Sequence, residues 1–254
     1  MTRTLIAGGE IVTAGGVHRA DVLIDGETIA AIGTGLPADG AQTIDASGCV
    51  VLPGLIDNHT HLAMPTSGTV TCDDFDSGTR AALAGGTTTI VDFAMQTDGS
   101  LLRGLETWHA KAEGRAHCDY GFHLSISDAN PQAIAEMEQA VAEGVATFKV
   151  FMAFKGAFMV DDEQMLRVLR RTGETGGMLL VHAENGDAIE VYVKEALAAG
   201  NTAPRFHGLT RPPEVEAEAT ARAIRLAAWA GRPLFVVHVS CEAAVAEIQA
   251  ARDR

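Results

Sequence analysis

The chain has 254 residues, enough for one large domain or two ordinary ones and for a sizeable buried core. Apolar residues at 47% and charged residues at 20% describe a globular chain and exclude a disordered one. The formal charge of −14 argues against nucleic acid or an anionic membrane surface as the main partner. No apolar run approaches the roughly 18 residues that a bilayer span needs, and the opening MTRTLIAGGE lacks the apolar centre of a signal peptide. Cys49, Cys72, Cys118 and Cys241 are scattered with no CxxC, which indicates neither a disulfide framework nor a thiolate zinc site. The expectation at this level is a cytoplasmic α/β protein.

The first fifty residues read as short strands at 4–7, 22–25 and 28–32, separated by turns such as Gly15-Gly16 and Asp25-Gly26. This pattern predicts a small antiparallel β unit. From Cys49 onward, strand-length apolar runs alternate with helix-like segments. The runs are 49–59, 87–94, 119–127, 146–153, 178–184 and 234–240. Amphipathic or Ala-rich stretches at 131–143, 162–175 and 213–230 lie between them, the last opening with Pro212-Pro213 and the acidic Glu214, Glu216 and Glu218. Near-continuous apolar strands alternating with helices predict a parallel sheet covered on its faces. Six β/α units fit either an open doubly wound sheet or most of an eight-fold barrel. Polar residues at several strand ends favour the barrel, which gathers its chemistry there.

The strongest local signal is Asp57-Asn58-His59-Thr60-His61, closing the first long run. Alternate residues of a strand share a face, so His59 and His61 project together and are able to ligate one divalent metal. A pair of surface or core histidines is the competing reading. Other strand-end groups add weight: His182 closes MLLVH, His238 lies near the end of LFVVHVS, and Lys149 sits inside the apolar run ATFKVFMA. A lysine there either snorkels outward or is held neutral by burial, and a neutral amine is able to add to carbon dioxide to give a carbamate. Four histidines and a lysine at strand ends form a two-metal constellation. Asp73, Asp74 and Asp76 read as helix-start charges and caps. Asp92 reads as either a partner for a ligating histidine or an ordinary strand-end carboxylate. His18, His109, His117, His123 and His207 lack paired spacing and receive no role. Gly33-x-Gly35 is too short for a dinucleotide loop.

The stretches LPGLIDNHTHL (52–62), FKVFMAFKG (148–156) and VHAENGD (181–187) resemble the cyclic-amide amidohydrolases. GGTTTIVDF (85–93), TRPPEVEAEAT (210–220) and VHVS (237–240) are similar to the dihydropyrimidinase/D-hydantoinase branch in particular. The resemblance implies an α/β fold: an incomplete TIM-like barrel of about six of eight β/α units over residues 51–254, with residues 1–50 forming part of a small β-sandwich. It implies two divalent metal ions, zinc by family habit. His59 and His61 would hold one, His182 and His238 the other, and Lys149, carboxylated by carbon dioxide, would bridge them. Lys155 does not occupy the ligand position. The implied reaction opens a dihydropyrimidine or 5-substituted hydantoin ring to an N-carbamoyl amino acid, by attack of a metal-bridged hydroxide on the ring amide. The implied partner is that small molecule, with neither nucleic acid nor membrane, and the implied assembly is a homotetramer.

Two departures from the family pattern stand out. Phe154 occupies a place where relatives carry a tyrosine whose hydroxyl serves the substrate or the oxyanion, and losing one such donor costs on the order of 100- to 1,000-fold in turnover. The family pattern also continues past Arg254, through two more β/α units that carry an aspartate acting as metal ligand and proton shuttle. The expectation is therefore a segment of a longer enzyme, inactive or aggregation-prone alone. Residues 63–72 correspond to a loop that shapes substrate stereochemistry. The alternatives are a non-catalytic dihydropyrimidinase-like scaffold and an allantoinase- or dihydroorotase-type amidohydrolase.

Overall fold

The computed structural model describes residues 2–66 and 68–254, so Ser67, in the loop assigned to stereochemistry, lies outside the described residues. The chain divides into two compact units, Met1–Ile56 with Gly86–Thr88, and Asp57–Gly85 with Thr89–Arg254.

In the first unit, β1 (Arg3–Thr13), β2 (Gly16–Asp25) and β3 (Thr28–Gly33) form an antiparallel meander. The strands β4 (Gln42–Asp45) and β5 (Val50–Val51) then pair parallel to β1, so the sheet is mixed rather than purely antiparallel. The chain leaves β3 and returns on the far side of β1 by a crossover, the kind of connection that parallel pairing requires. Both β1 and β2 run longer than their sequence pattern suggests. A bulge between Ile6 and Gly9 hides the alternation, and Asp21 Oδ1 holds it open by accepting from the Gly8 N–H at 2.8 Å. Ile11, Ala20 and Val22 form a small core, while Val17, Ile29, Ile32, Ile44 and Val50 stay exposed. No second sheet layered on this one is found among the described residues, so a complete sandwich is not seen.

The first long apolar run, 49–59, splits at Pro53-Gly54. Its start is β5 of the first sheet; its end is β6 (Leu55–Thr60) of a second, six-stranded sheet. Proline cannot donate to a ladder, and the break falls there. A two-residue hairpin, β7 (Pro65–Thr66) and β8 (Thr69–Val70), leads to α1 (Phe75–Ala84). Regular alternation follows: β9 (Thr87–Met95), α2 (Leu101–Ala112), β10 (Asp119–Ser125), α3 (Pro131–Ala142), β11 (Thr147–Phe151), α4 (Asp162–Thr175) and β12 (Met178–His182). Then come α5 (Gly186–Ala198), α6 (Arg205–Leu209), α7 (Pro213–Ala230), β13 (Leu234–Val236) and α8 (Glu242–Arg252).

The sheet order is β13-β12-β11-β10-β9-β6, with parallel pairs from β9 through β13. Spatial order follows chain order without reversal. A doubly wound sheet reverses at a switch point; a sheet that never reverses is the wall of a partial barrel.

Period-2 alternation divides the work of each strand. Ile90 and Ala94, Phe122 and Leu124, Phe148 and Val150, and Leu179 and Val181 face the helices, all at most 6% exposed. They meet Leu101, Leu105 and Trp108 of α2, Met137 of α3, Val168 of α4 and Ala223 of α7 at helical spacing. Asp74 caps α1, accepting from the Asp76 and Ser77 amides, with Asp76 paired to Arg80 in the first turn, as the sequence suggested for these carboxylates.

Two contacts on α2 are testable. A Cβ on Gly104 would lie 2.3 Å from the Met95 carbonyl oxygen, so the helix approaches the end of β9 through bare backbone. Gly104→Ala gains about 1 kcal/mol of helix propensity, yet should lower stability by about 1–3 kcal/mol through overpacking, as read by urea denaturation. Glu136 of α3 accepts from the Leu101 and Leu102 amides and the Ser100 hydroxyl at the start of α2. Burial disfavours its charge, but hydrogen bonds from Gln132, Leu102, Ser100 and Leu101 prevail and hold the carboxyl below its ordinary range. A depressed folded value means the stabilisation is complete above the unfolded value of about 4.3 and fades as acid protonates the group. Glu136→Gln should cost about 1 kcal/mol at pH 7, with the gap to wild type closing below pH ~4 in the same assay.

Candidate functional site

The face of the six-stranded sheet turned away from the helices carries the chemistry. Phe93, fully buried on β9, lies at its centre. Around it stand His59 at 4.5 Å, His123 at 4.7 Å and His61 at 5.0 Å between ring centroids. His59 is 5.2 Å from His61 and 5.2 Å from His238, which is 4.7 Å from His182. The four histidines singled out in the sequence therefore form a continuous chain of rings. Lys149, with no exposed surface, points its Nζ to the same place, 4.9 Å from the Phe93 centroid and 4.8 Å from that of Phe151. It does not snorkel.

Electrostatics follow from this enclosure. Burial pushes Lys149 down to about 7. Desolvation, then the nearby positive charges of Lys149, His61, His238 and His123, push His59 down to about 3. Burial and Lys149 push His61 to about 4. His238, on the loop after β13 with φ +35°, is open to solvent on one side but is also pushed to about 4, by desolvation and then by Lys149 and His182. His59, His61 and His238 are thus neutral at physiological pH with free lone pairs, the form a metal requires.

The donor set fits a pair of cations. Lys149 Nζ, His61 Nδ1 and Ser125 Oγ are buried without hydrogen-bond partners, and Ser125 is in register with Lys149 across the β10–β11 pair. Buried polar groups normally have partners, and three orphans on one face mark a place for a ligand. His182 Nε2 donates to Glu184 Oε2 at 2.6 Å, which leaves Nδ1 as the lone-pair nitrogen, facing His238 Nε2 at 3.1 Å. Two nitrogens sharing a tetrahedral zinc at about 2.0–2.1 Å stand roughly 3.3 Å apart, so this pair is nearly set. Among the described residues no three His, Cys, Asp or Glu side chains converge on one point. Lys149 is the further nitrogen group beside these rings, close enough for its charge to act on His59, His61 and His238.

The quoted motifs acquire physical roles. In HAENGD, Glu184 orients His182, Asn185 caps α5 by accepting from the Ala188 amide, and Asp187 pairs with Lys155. A Cβ on Gly186 would lie 2.9 Å from both Ala153 Cα and the Met152 oxygen, so only glycine permits this approach. In RPPEVEAE, Glu216 accepts from the Ser240 amide at 2.7 Å and its hydroxyl at 2.5 Å, tying the His238 loop to α7. Glu218 accepts from Asn185 Nδ2. A cavity of about 320 Å³ opens beside the rings, lined by Phe154, His182, Glu184, Arg211, Glu216 and His238. Phe154, at φ +65°, sets its ring 5.0 Å from His182.

Some readings need correction. Asp92 touches no histidine; it lies on the helix side and accepts from Thr60, Leu62 and Trp108. His123, given no role, is buried and bonds Thr147 Oγ1 through Nδ1 and the Asn58 carbonyl through Nε2. Its signal was alternation: it shares a sheet face with Ser125, two residues on. The run 234–240 is strand only over Leu234–Val236.

The chain is similar to known proteins over nearly its whole length. The chain is 56% identical to the D-hydantoinase of Streptomyces coelicolor over 99% of its own length and 55% of that protein. It is 44% identical to the dihydropyrimidinase of Rattus norvegicus, over 98% and 50%. The solved dihydropyrimidinase from Brevibacillus agri superposes with a TM-score of 0.97 at 53% identity, over 99% of this chain and 55% of that one. The chain spans about half the length of the curated relatives it matches. The profile described as "Amidohydrolase family" matches residues 50–223, and the chain belongs to the amidohydrolase family.

Proposed function

We propose that this chain carries the metal-binding part of a hydrolase acting on cyclic amides, opening dihydropyrimidine or 5-substituted hydantoin rings to N-carbamoyl amino acids. The observation that carries the reading is the partnerless, buried Lys149 amine beside the His59, His61 and His238 imidazoles. His59 and His61 would hold one divalent ion, His182 and His238 the second, and Lys149 would supply the bridge, with zinc the expected metal. Two such ions lower the pKa of water and polarise a carbonyl oxygen.

The remaining work belongs to the chain's own groups. Burial keeps a share of Lys149 unprotonated at neutral pH, with a lone pair available to carbon dioxide. An N–C bond forms, one proton leaves to water, and the resulting carbamate carries the negative charge that the imidazoles lack. Glu184 fixes the His182 tautomer from behind. Phe93 and Phe151 exclude water beneath the lysine. Phe154 contributes a ring and no hydroxyl to the wall of the cavity, so it shapes the space for the substrate and leaves oxyanion stabilisation to other donors.

Residues 51–254 would be the barrel portion, and the N-terminal sheet one layer of a small sandwich. The exposed Ile29, Ile32, Ile44 and Val50 support that, as apolar side chains on the surface of this sheet. The reading extends to a homotetramer acting in the cytoplasm on a small molecule.

Elemental analysis of protein purified from zinc-supplemented culture should find two metal ions per chain. Lys149→Ala should hold fewer than one, and added acetate or propionate should restore part of the binding by occupying the vacated carboxylate position; equal metal content in the two proteins would sink the assignment. In the longer enzyme of which this chain would be a part, ring-opening assays on dihydrouracil, 5-substituted hydantoins and allantoin should give turnover on the first two and at least tenfold less on the third. Preference for allantoin would move the protein to a sister activity.

A further inference from the structure

The segment that presents His59 and His61 is held from behind. Thr60, between the two imidazoles, must point to the helix side if they point to the site, and there its hydroxyl meets Asp92, a carboxylate with no exposed surface. Asp92 Oδ2 accepts from Thr60 Oγ1 at 2.9 Å and from the Leu62 amide at 2.7 Å, so it grips the residue on each side of His61. Asp92 Oδ1 accepts from the Trp108 indole at 2.9 Å. One turn along α2, Lys111 donates to the Ala63 carbonyl at 2.9 Å and lies 3.5 Å over the Trp108 ring. Ala63 has φ +47°, a conformation uncommon for a residue with a Cβ, and it is tethered by Lys111 at its carbonyl and by the Asp73 carbonyl at its amide. On the other face, His123 Nε2 donates to the Asn58 carbonyl at 3.1 Å.

We propose that Asp92 is a positioning residue that sets the direction of the His59 and His61 imidazoles, clamping Thr60 and Leu62 from the helix side with Trp108 and Lys111 as its backing. The functional meaning rests on the reading above, in which the two rings share an ion. The chemistry of the clamp explains why a carboxylate is needed: all three partners of Asp92 are donors, and asparagine would turn an NH₂ group on one of them. A carboxylate that served stability alone would loosen the whole unit when altered. A positioning residue would disturb His59 and His61 and spare His182 and His238, which hang from β12 and the loop after β13.

The test uses ring-nitrogen NMR of the metal-free chain together with Co²⁺ titration. Asp92→Asn should shift or broaden the His59 and His61 ring signals, leave those of His182 and His238 in place, and weaken Co²⁺ binding by about tenfold or more. Combining it with Trp108→Phe removes the donor that the amide would oppose and should recover most of both effects. Unchanged His59 and His61 signals, or equal displacement of all four histidines, would overturn the proposal. Should Asp92→Asn fail to fold, Thr60→Val removes a single donor and makes the same comparison. Wild-type chain that takes up no Co²⁺ would refute the metal reading, while the ring signals would still decide the role of Asp92.

Discussion

An amine shut away from water with nothing to bond is the constraint on which this structure turns. Lys149 is fully buried between two phenyl rings, and as an ammonium it would bear a desolvation penalty of several kcal/mol. The pairing of β11 with β10 and β12 fixes the face on which Lys149 stands, and Phe93 and Phe151 enclose it there. The same enclosure depresses the neighbouring imidazoles, since each would have to carry a charge beside another. His59, His61 and His238 are thereby held as neutral lone pairs, the form that binds a cation.

Strand periodicity lets one short sequence meet two demands. In β9 the adjacent residues Asp92 and Phe93 serve opposite faces, one anchoring the histidine segment from the helix side and the other flooring the site. In β11, Phe148 and Val150 fill the helix-facing core while Lys149 faces the imidazoles. Helix starts do comparable double duty: Asn185 caps α5 immediately after Glu184 has oriented His182, and Glu216 in the first turn of α7 holds the loop that carries His238.

Much of this was legible beforehand where the signals were periodic. The helices at 162–175 and 213–230 lie as their apolar spacing and capping residues indicate, and the histidines at 59, 61, 182 and 238 stood at strand ends in the sequence itself. What stayed hidden depended on long-range partners. The bulge after Ile6 erased the alternation of β1, and the pairing of β4 and β5 with β1 is set by a crossover that no local pattern encodes. One apolar run concealed two strands of different sheets, divided by a single proline. Asp92 and His123 were ambiguous for the same reason: a lone polar residue in a strand shows its face only when its neighbours' register is known.

The unreversed strand order has a further consequence for how such a chain is made. Each β/α unit of the six-stranded sheet pairs with the one synthesised just before it, so the growing sheet always offers the ribosome-bound segment an edge already in place. Closure spans one connection at a time, the longest being that from β12 to β13, and its entropy cost grows only slowly with length. The His59 segment emerges well before the His238 loop, so the ring cluster is completed only once β13 has docked beside β12.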